Sequence, residues 1–156
     1  MKITVYTDGG CLNNNAPAAD KVNGKVVCIG AYSAILLSND QIISELSGIC
    51  KGVTNNQAEL IAAVKGLRAA FAISDDVLLV TDSNYVIQGI RMLPEYVANG
   101  WRTKKNKPLA HLSLWREMYK LLRGRNIAVQ HINGHSGNIW NTRCDKLCSA
   151  ALAQFR

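Results

Sequence analysis

The order of the apolar segments limits the folds open to this chain more than any other feature. Three β-rich runs come first, and Ser38-Asn39-Asp40 between the second and third is typical of a tight turn. The paired glycines Gly9 and Gly10 are predicted to end the first run, and a polar loop follows it. Three successive strands of this kind predict an antiparallel meander over Lys2–Thr7, Lys25–Leu37 and Gln41–Ile49.

Helical and strand-like segments alternate in the rest of the chain. Leu60, Val64, Leu67 and Phe71 repeat at helical spacing, whereas the apolar run at 77–80 is typical of a strand buried on both faces. This order predicts an α/β fold in which helices cover a mixed sheet, and 156 residues suffice for one compact domain over 1–156. The predicted elements are helices at Ala58–Ala72, Asn84–Met92, Leu109–Leu122 and Thr142–Gln154, with strands at Val77–Val80 and Ile127–Ile132.

Composition narrows the class of partner. Lys and Arg exceed Asp and Glu by 18 − 11 = +7, which favours a polyanion such as nucleic acid, although a basic surface also serves solubility alone. No run of about 18 apolar residues is present to cross a membrane, and the first residues lack a secretory signal. We therefore expect a soluble, cytoplasmic protein without a membrane partner.

The five cysteines give a second indication of the compartment. Their number is odd and no CxxC pair occurs, so we expect no disulfide framework and a reducing environment. Cys144 and Cys148 lie four residues apart, and we interpret them as buried thiols on an amphipathic helix rather than as a metal or redox site.

Two aspartates follow apolar runs in a way that suggests a site. Asp8 and Asp82 each come after a Thr at the predicted end of a strand, where open sheets usually bind ligands. Either residue alone is more simply explained as a turn or helix cap. Together, on neighbouring strands, the two carboxylates would repel each other unless a cation lay between them.

Two further acids and a histidine extend this pattern. Glu59 is expected in the first turn of its helix, where small residues on the same face would allow a close approach to the sheet. Asp145 is expected to open the last helix, ten residues after His135 in a Gly-flanked loop. A histidine beside carboxylates can accept or donate a proton near neutral pH.

Three Asp and one Glu make an all-oxygen ligand set. Such a set suits Mg²⁺, with Mn²⁺ as a substitute, rather than Zn²⁺. Two such ions about 3.5–4 Å apart would activate a water and stabilise the leaving oxygen of a phosphodiester displacement. The chemistry and the basic charge therefore indicate the same substrate class.

Five short segments combine in a specific order along the chain, although each is a weak pattern alone. They are Tyr6-Thr7-Asp8-Gly9-Gly10-Cys11, Thr54-Asn55-Asn56-Gln57-Ala58-Glu59-Leu60, Thr81-Asp82-Ser83-Asn84-Tyr85-Val86, Gly100-Trp101-Arg102-Thr103 through Lys107-Pro108, and Gly134-His135-Ser136-Gly137 with Asn141 to Asp145. In this highly specific combination the chain resembles the type 1 ribonucleases H, from residue 3 to about residue 153.

The resemblance implies a five-stranded mixed sheet flanked by helices, and cleavage of the RNA strand of RNA–DNA hybrids that leaves 5′-phosphate and 3′-hydroxyl ends. We expect such an enzyme to act as a monomer. By position, the metal-binding carboxylates are Asp8, Glu59, Asp82 and Asp145, and His135 matches a loop residue that assists proton transfer or product release.

The same resemblance implies substrate contacts. Asn56, Gln57 and Asn84 match residues at minor-groove edges and 2′-hydroxyls, by which RNA is distinguished from DNA. Thr54 and Asn55 match a DNA-phosphate pocket, with helix capping as the alternative for Asn55. The remaining predicted contacts are the turn residues Gly9, Gly10 and Cys11, small enough for a close approach of the RNA backbone, and the basic group Trp101, Arg102, Lys104, Lys105 and Lys107.

The segment that carries this basic group is the least regular part of the chain. Eight Lys or Arg and a single acid lie between residues 100 and 125. Phosphate contacts by such residues supply affinity without sequence information, but a solvated loop is the alternative. Trp101 would either pack on a sugar or anchor the loop, and Pro94 is predicted to break or kink the helix before it.

Two other functions compete with hybrid cleavage. A DNA-cutting relative on the same fold, such as a resolvase or integrase, would not need the Asn and Gln set expected to read 2′-hydroxyls. A catalytically silent hybrid-binding module would not need four carboxylates and His135, because negative charges facing phosphate weaken binding.

Overall fold

The structure is a computed structural model that describes residues 1–11, 21–22, 25–26, 28–134 and 137–154. Within these residues a sheet of five strands has the order β5-β4-β1-β6-β7, and two short strands form a separate hairpin. The seven strands are β1 (Lys2–Cys11), β2 (Lys21–Val22), β3 (Lys25–Val26), β4 (Cys28–Ser38), β5 (Gln41–Val53), β6 (Asp76–Thr81) and β7 (Ala128–His131). The helices are α1 (Asn55–Phe71), α2 (Asn84–Ala98), α3 (Leu112–Leu122) and α4 (Ile139–Ala153).

The sheet is mixed, as predicted. β4 runs antiparallel to both β1 and β5, whereas β6 runs parallel to β1 and β7 runs parallel to β6. Side chains alternate along β1, so that Ile3 and Val5 join α1, α2 and α3 in the main core. On the other face, α4 packs Cys144 and Cys148 against β4 residues. The helices therefore cover both faces of the sheet.

The prediction that Gly9 and Gly10 end the first strand is wrong. β1 continues to Cys11 because both glycines pair with β4, Gly9 opposite Tyr32 and Gly10 opposite Ala31. Asp8 consequently lies inside the strand rather than after it. The predicted strand from residue 25 is also shorter at its start, since β4 begins at Cys28.

Three helices differ from their predicted first residues. α1 begins at Asn55 after the cap Thr54, whose Oγ1 accepts a hydrogen bond from the Gln57 N–H. α4 begins at 139 after the cap Asn138, whose Oδ1 accepts from two backbone N–H groups. Both helices thus start three residues earlier than predicted, and α3 starts three residues later, at 112. Glu59 and Asp145 are therefore in second turns, so that the helix dipole explains neither carboxylate.

Pro94 does not end α2. The helix continues through it to Ala98, which contradicts the predicted end at Met92. Proline fixes φ near the helical value, and packing can offset both the loss of its N–H bond and the crowding of its ring against the preceding turn. The adjacent Leu93 is buried in the main core and Tyr96 packs against the same core.

The cysteines differ from expectation at one pair. Cys11 at the end of β1 and Cys28 at the start of β4 form a disulfide, with their Cα atoms 5.8 Å apart. The expectation of no disulfide framework did not include this single pair, which antiparallel pairing of the two strands brings together. Cys144 and Cys148 are buried free thiols, as predicted.

None of the described helices is long and apolar enough to cross a membrane.

Candidate active site

Three carboxylates from three elements converge at one end of the sheet. Asp8 lies in β1 and Asp82 directly follows β6, and the parallel register of these strands, with Tyr6 opposite Val80, puts the two acids at the same level. Glu59 reaches them from α1. One oxygen from each carboxylate lies within 4.8 Å of the other two.

Glycines explain how α1 comes close enough for Glu59 to take part. A Cβ on Gly9 would lie 2.5 Å from the Ala58 carbonyl carbon and 2.6 Å from the Glu59 nitrogen. A Cβ on Gly66, two turns further along the small face of α1, would lie 2.9 Å from Val5 Cγ1. Gly9 is thus required for helix-to-strand packing, whereas Gly10 has open space around it. The predicted contact of either glycine with RNA stays a prediction.

The carboxylates line a cavity of about 250 Å³ that the fourth predicted acid also reaches. Asp145 enters from α4, on the other face of the sheet from α1. Asn141 and Thr142 line the same cavity and were missed in the sequence, although Asn141 lies four residues before Asp145 and therefore on the same helix face. The complete lining is Asp8, Gly9, Glu59, Asp82, Asn141, Thr142 and Asp145.

Burial and mutual repulsion raise the pKa values of two of these acids. For Asp8, burial is the largest cause and the charges of Asp82 and Asp145 add to it, so that its pKa rises from 3.8 to about 7. The pKa of Glu59 rises to about 9, again chiefly through burial, with the charges of Asp8 and Asp82 next. Without a cation, the cluster therefore holds protons that isolated carboxyls would release.

A divalent cation fits this cavity. Glu59 Oε2 is buried without a hydrogen-bond partner among the described residues, which is costly unless something else fills that role. The surrounding donors are carboxylate oxygens, the ligands preferred by hard cations such as Mg²⁺. A cation would also remove the repulsion between Asp8, Glu59 and Asp82.

Two further residues of the predicted motifs, Gly134 and Asn84, lie near Asp82 in space or in sequence. A Cβ on Gly134 would lie 3.0 Å from Asp82 Oδ2, so that Gly134 lies directly against this carboxylate. His135 itself lies outside the described residues, and its proton-transfer or release role stays a prediction. Asn84 is the exposed first residue of α2, two positions after Asp82.

The predicted DNA-phosphate residues are partly engaged within the protein. Thr54 is the cap of α1, and Asn55 Oδ1 accepts a hydrogen bond of 3.0 Å from the Cys11 N–H. Asn55 thus ties the end of β1 to the start of α1, while its amide NH₂ is the group left to donate to a phosphate. Asn56 is exposed and Gln57 is half-buried beside it.

The basic residues lie on an exposed loop, residues 100–108, which we call the basic arm. Arg102 pairs with Pro108 in an isolated bridge, and its Nη1 donates to the Asn106 carbonyl at 3.0 Å. Trp101 packs edge-on against Tyr119 at 5.8 Å between ring centroids, with the Arg116 guanidinium over its ring at 5.7 Å. Trp101 therefore anchors the arm, and the charged side chains that project from it are Arg102, Lys104, Lys105 and Lys107.

Comparison with known proteins agrees with this fold and gives the family. The family model described as RNase H matches residues 1–153. Ribonuclease H of Chlorobium phaeobacteroides (strain BS1) is 34% identical over 157 residues, covering 99% of this chain and 98% of that protein. Ribonuclease H of Francisella philomiragia is 36% identical over 154 residues, covering 98% and 92%.

Solved structures give the same result. The solution structure of the PFV RNase H domain superimposes with a TM-score of 0.79 at 26% identity, covering 96% of this chain and 93% of that one. LC9-RNase H1 superimposes with a TM-score of 0.78 over 98% and 72% of the two chains, and its 22% identity supports the fold alone. The protein is therefore a nuclease that acts on RNA. It belongs to the RNase H family, and the predicted five-stranded fold is confirmed.

Proposed function

We propose that this protein hydrolyses the RNA strand of RNA–DNA hybrids by a two-metal-ion mechanism and leaves 5′-phosphate and 3′-hydroxyl ends. The observation that carries the proposal is the convergence of Asp8, Glu59 and Asp82 within 4.8 Å, in a cavity that Asp145 also lines. We assign these four residues as the metal ligands. Two Mg²⁺ ions bound there would supply an activated water and neutralise charge on the leaving oxygen.

The chain's own residues prepare this site in three ways. Asp8, Glu59 and Asp82 are held on a strand, a helix and a strand end, so that little reorganisation is needed when a cation binds. The open space at Gly10 gives a phosphate backbone access beside Asp8. We assign His135 to moving a proton or releasing product next to this cavity.

The choice of hybrid as substrate has separate support. The foamy viral protease–reverse transcriptase, solved in complex with an RNA/DNA hybrid, superimposes with a TM-score of 0.80 at 26% identity over 96% of this chain and 20% of that one. Exposed Asn56 and Asn84 flank the carboxylates at the starts of α1 and α2, where their amides can reach 2′-hydroxyls. The basic arm adds sequence-independent attraction for the DNA strand.

We extend the proposal to the organisation of the chain. Residues 1–156 form one catalytic domain, since β1 near one end and α4 near the other both contribute carboxylates to the same cavity. The four proposed ligands come from a single chain, which is consistent with a monomer.

Incubation with labelled RNA–DNA, DNA–DNA and RNA–RNA duplexes, with and without Mg²⁺, tests this function. We expect Mg²⁺-dependent cleavage of RNA in the hybrid only, with product ends identified by phosphatase and ligase treatment. Cleavage of DNA–DNA would identify a DNA-cutting relative, and tight hybrid binding without cleavage at any Mg²⁺ or Mn²⁺ concentration would identify a binding module. Either result would overturn the proposal.

A further inference from the structure

The four proposed ligands are not held in the same way. Asp8 is fixed by hydrogen-bonded pairing of β1 with β4 on one side, and Asp82 follows a strand paired with β1 on the other. Glu59 is fixed by the backbone contact of α1 with Gly9. Asp145 lies on α4, a helix that packs on the opposite face, so that its position depends on how α4 is attached to the sheet.

Two polar contacts attach α4 to the sheet, and both involve α4 residues next to Asp145 in sequence. The buried Ser33 Oγ of β4 donates a hydrogen bond of 2.8 Å to the carbonyl oxygen of Cys144. Arg143 Nε and Nη2 each donate at 2.8 Å to the two carboxylate oxygens of Glu45 in β5. These bonds hold Arg143 and Cys144, the two residues that immediately precede Asp145.

Ser33 also lies between α4 and the part of β1 that carries Asp8, one of the proposed ligands. Asp8 and Ser33 are directly paired across β1 and β4, so that their side chains lie on the same face of the sheet. The Cys148 thiol lies 3.3 Å from Ser33 Oγ, and its Sγ lies 3.6 Å from the Asp8 carbonyl oxygen. The hydroxyl therefore lies beside a contact between α4 and the strand that carries Asp8.

The ion pair is placed to control rotation of α4 about its axis. Arg143 and Asp145 are two residues apart, which is about 200° around a helix, so that they project from nearly opposite sides. A rotation of about 10° would move a carboxylate that lies about 6 Å from the axis by about 1 Å. Displacements of that size matter for the chemistry of a metal site.

The pair is better suited to fixing an angle than to stabilising the fold. The Arg143 and Glu45 side chains are 50% and 29% exposed, and ion pairs with this much water around them contribute little to stability. Two parallel N–H donors on one carboxylate nevertheless define a direction, which a single contact does not.

We propose that Glu45 and Ser33 are positioning residues for the metal site: they hold α4, through Arg143 and the Cys144 carbonyl, at the rotation that brings Asp145 to the cavity. This inference rests on the proposed function, because it treats Asp145 as a ligand. Neither Glu45 nor Ser33 lines the carboxylate cavity.

The test is calorimetric titration of Mn²⁺ into the protein without substrate, which does not depend on activity. We expect E45Q to weaken Mn²⁺ binding by up to about tenfold, the scale of losses when groups that orient metal ligands are removed. The charge-swapped variant E45R/R143E should recover part of that loss, and S33A should shift binding in the same direction as E45Q. In E45Q and S33A, the Mg²⁺ concentration needed for half-maximal cleavage should rise along with the loss of Mn²⁺ affinity.

A matched control is available on the other face of the molecule. Glu117 pairs with Arg68 at 3.1 Å between α3 and α1, with both side chains about half exposed. E117Q removes an ion pair of the same kind without touching α4, so we expect its Mn²⁺ affinity to equal that of the wild type. The thermal unfolding midpoints of E45Q and E117Q should differ little from each other. A difference in Mn²⁺ affinity between them would then reflect positioning rather than general destabilisation.

A double-mutant comparison decides whether Glu45 acts through Asp145. In a D145N background, E45Q should cause no further loss of Mn²⁺ affinity. An equal loss in both backgrounds, or an E45Q affinity equal to that of E117Q, would overturn the inference. Absence of Mn²⁺ binding by the wild-type protein would instead overturn the proposed function.

Discussion

The carboxylate cavity and the basic arm are opposite in charge and differ even more in how they are held. Asp8, Glu59 and Asp82 are fixed by paired strands and by a helix in backbone contact with Gly9. Lys104, Lys105 and other charged residues of the arm project into solvent from a loop anchored through Trp101. The chemistry thus depends on positions within an ångström, whereas the affinity depends on the number of charges presented. Substitutions should therefore act abruptly in the cavity and gradually in the arm.

The largest effect is expected from Asp8→Asn. Loss of one central carboxylate should lower Mg²⁺-dependent cleavage of a labelled hybrid by about 10³-fold or more, since metal clamps stabilise the transition state by several kcal/mol. Hybrid binding measured in EDTA should be retained, because the substitution removes a negative charge near phosphate. Cleavage at the wild-type rate would mean that Asp8 has been assigned wrongly.

The next effect concerns stability without metal. The pKa of Asp8 is raised from 3.8 to about 7, so the folded state holds a proton that the unfolded state releases in this pH range. The free energy of unfolding should therefore fall as pH rises from about 4 to 7, by up to about 3 kcal/mol. Glu59, whose pKa is raised to about 9, should extend the decline toward that pH.

Urea unfolding in EDTA at several pH values measures this decline. Asp8→Asn should be less sensitive to pH than the wild type, and added Mg²⁺ should stabilise the wild type more at pH 8 than at pH 5. Identical pH dependence in the two proteins would show that the cluster does not store protons in this way.

A pair of neighbouring glycines gives the third prediction. Gly9→Ala puts a Cβ against the α1 backbone and should lower the free energy of unfolding by about 2 kcal/mol, as overpacking usually does. Gly10→Ala is the matched control, because its Cβ meets no atom within 4 Å. Equal unfolding midpoints for the two variants would contradict the close packing of α1 on β1.

The smallest effect is expected in the basic arm. Replacing Lys104, Lys105 and Lys107 with Ala should weaken hybrid binding by about tenfold at moderate salt and reduce the slope of log affinity against log salt by about 2 to 3. Fluorescence anisotropy at several salt concentrations measures both quantities. The triple Lys→Arg variant keeps the charges and should bind like the wild type; if the Ala variant also does, the arm is only solvated.

The sequence predicted the cluster of carboxylates better than it predicted the boundaries of the elements around it. The apolar runs before Asp8 and Asp82 and the small-residue face that carries Glu59 were enough to place the three acids together, because such runs and faces follow from simple periodicity even where the ends of the elements do not. The end of β1 was predicted wrongly because the cross-strand partners of Gly9 and Gly10 are more than twenty residues away. Pro94 was misjudged for the same reason, since tertiary packing decided what the local rule left open.

Other features lay beyond any local pattern. The Glu45–Arg143 pair joins residues 98 positions apart, and the Cys11–Cys28 disulfide follows from antiparallel pairing that composition does not reveal. Asn141, by contrast, was within reach, since its spacing from Asp145 already places both on one helix face.

The order of the chain also determines when activity can arise during synthesis. The parallel partner of β1 is β6, which is synthesised later: Lys2 is opposite Asp76, 76 − 2 = 74 residues further along the chain. Asp145 follows later still, on α4. A nascent chain that has not yet reached α4 therefore lacks the last of the proposed ligands, so that unfinished polypeptides emerging from the ribosome should be inert toward the RNA around them.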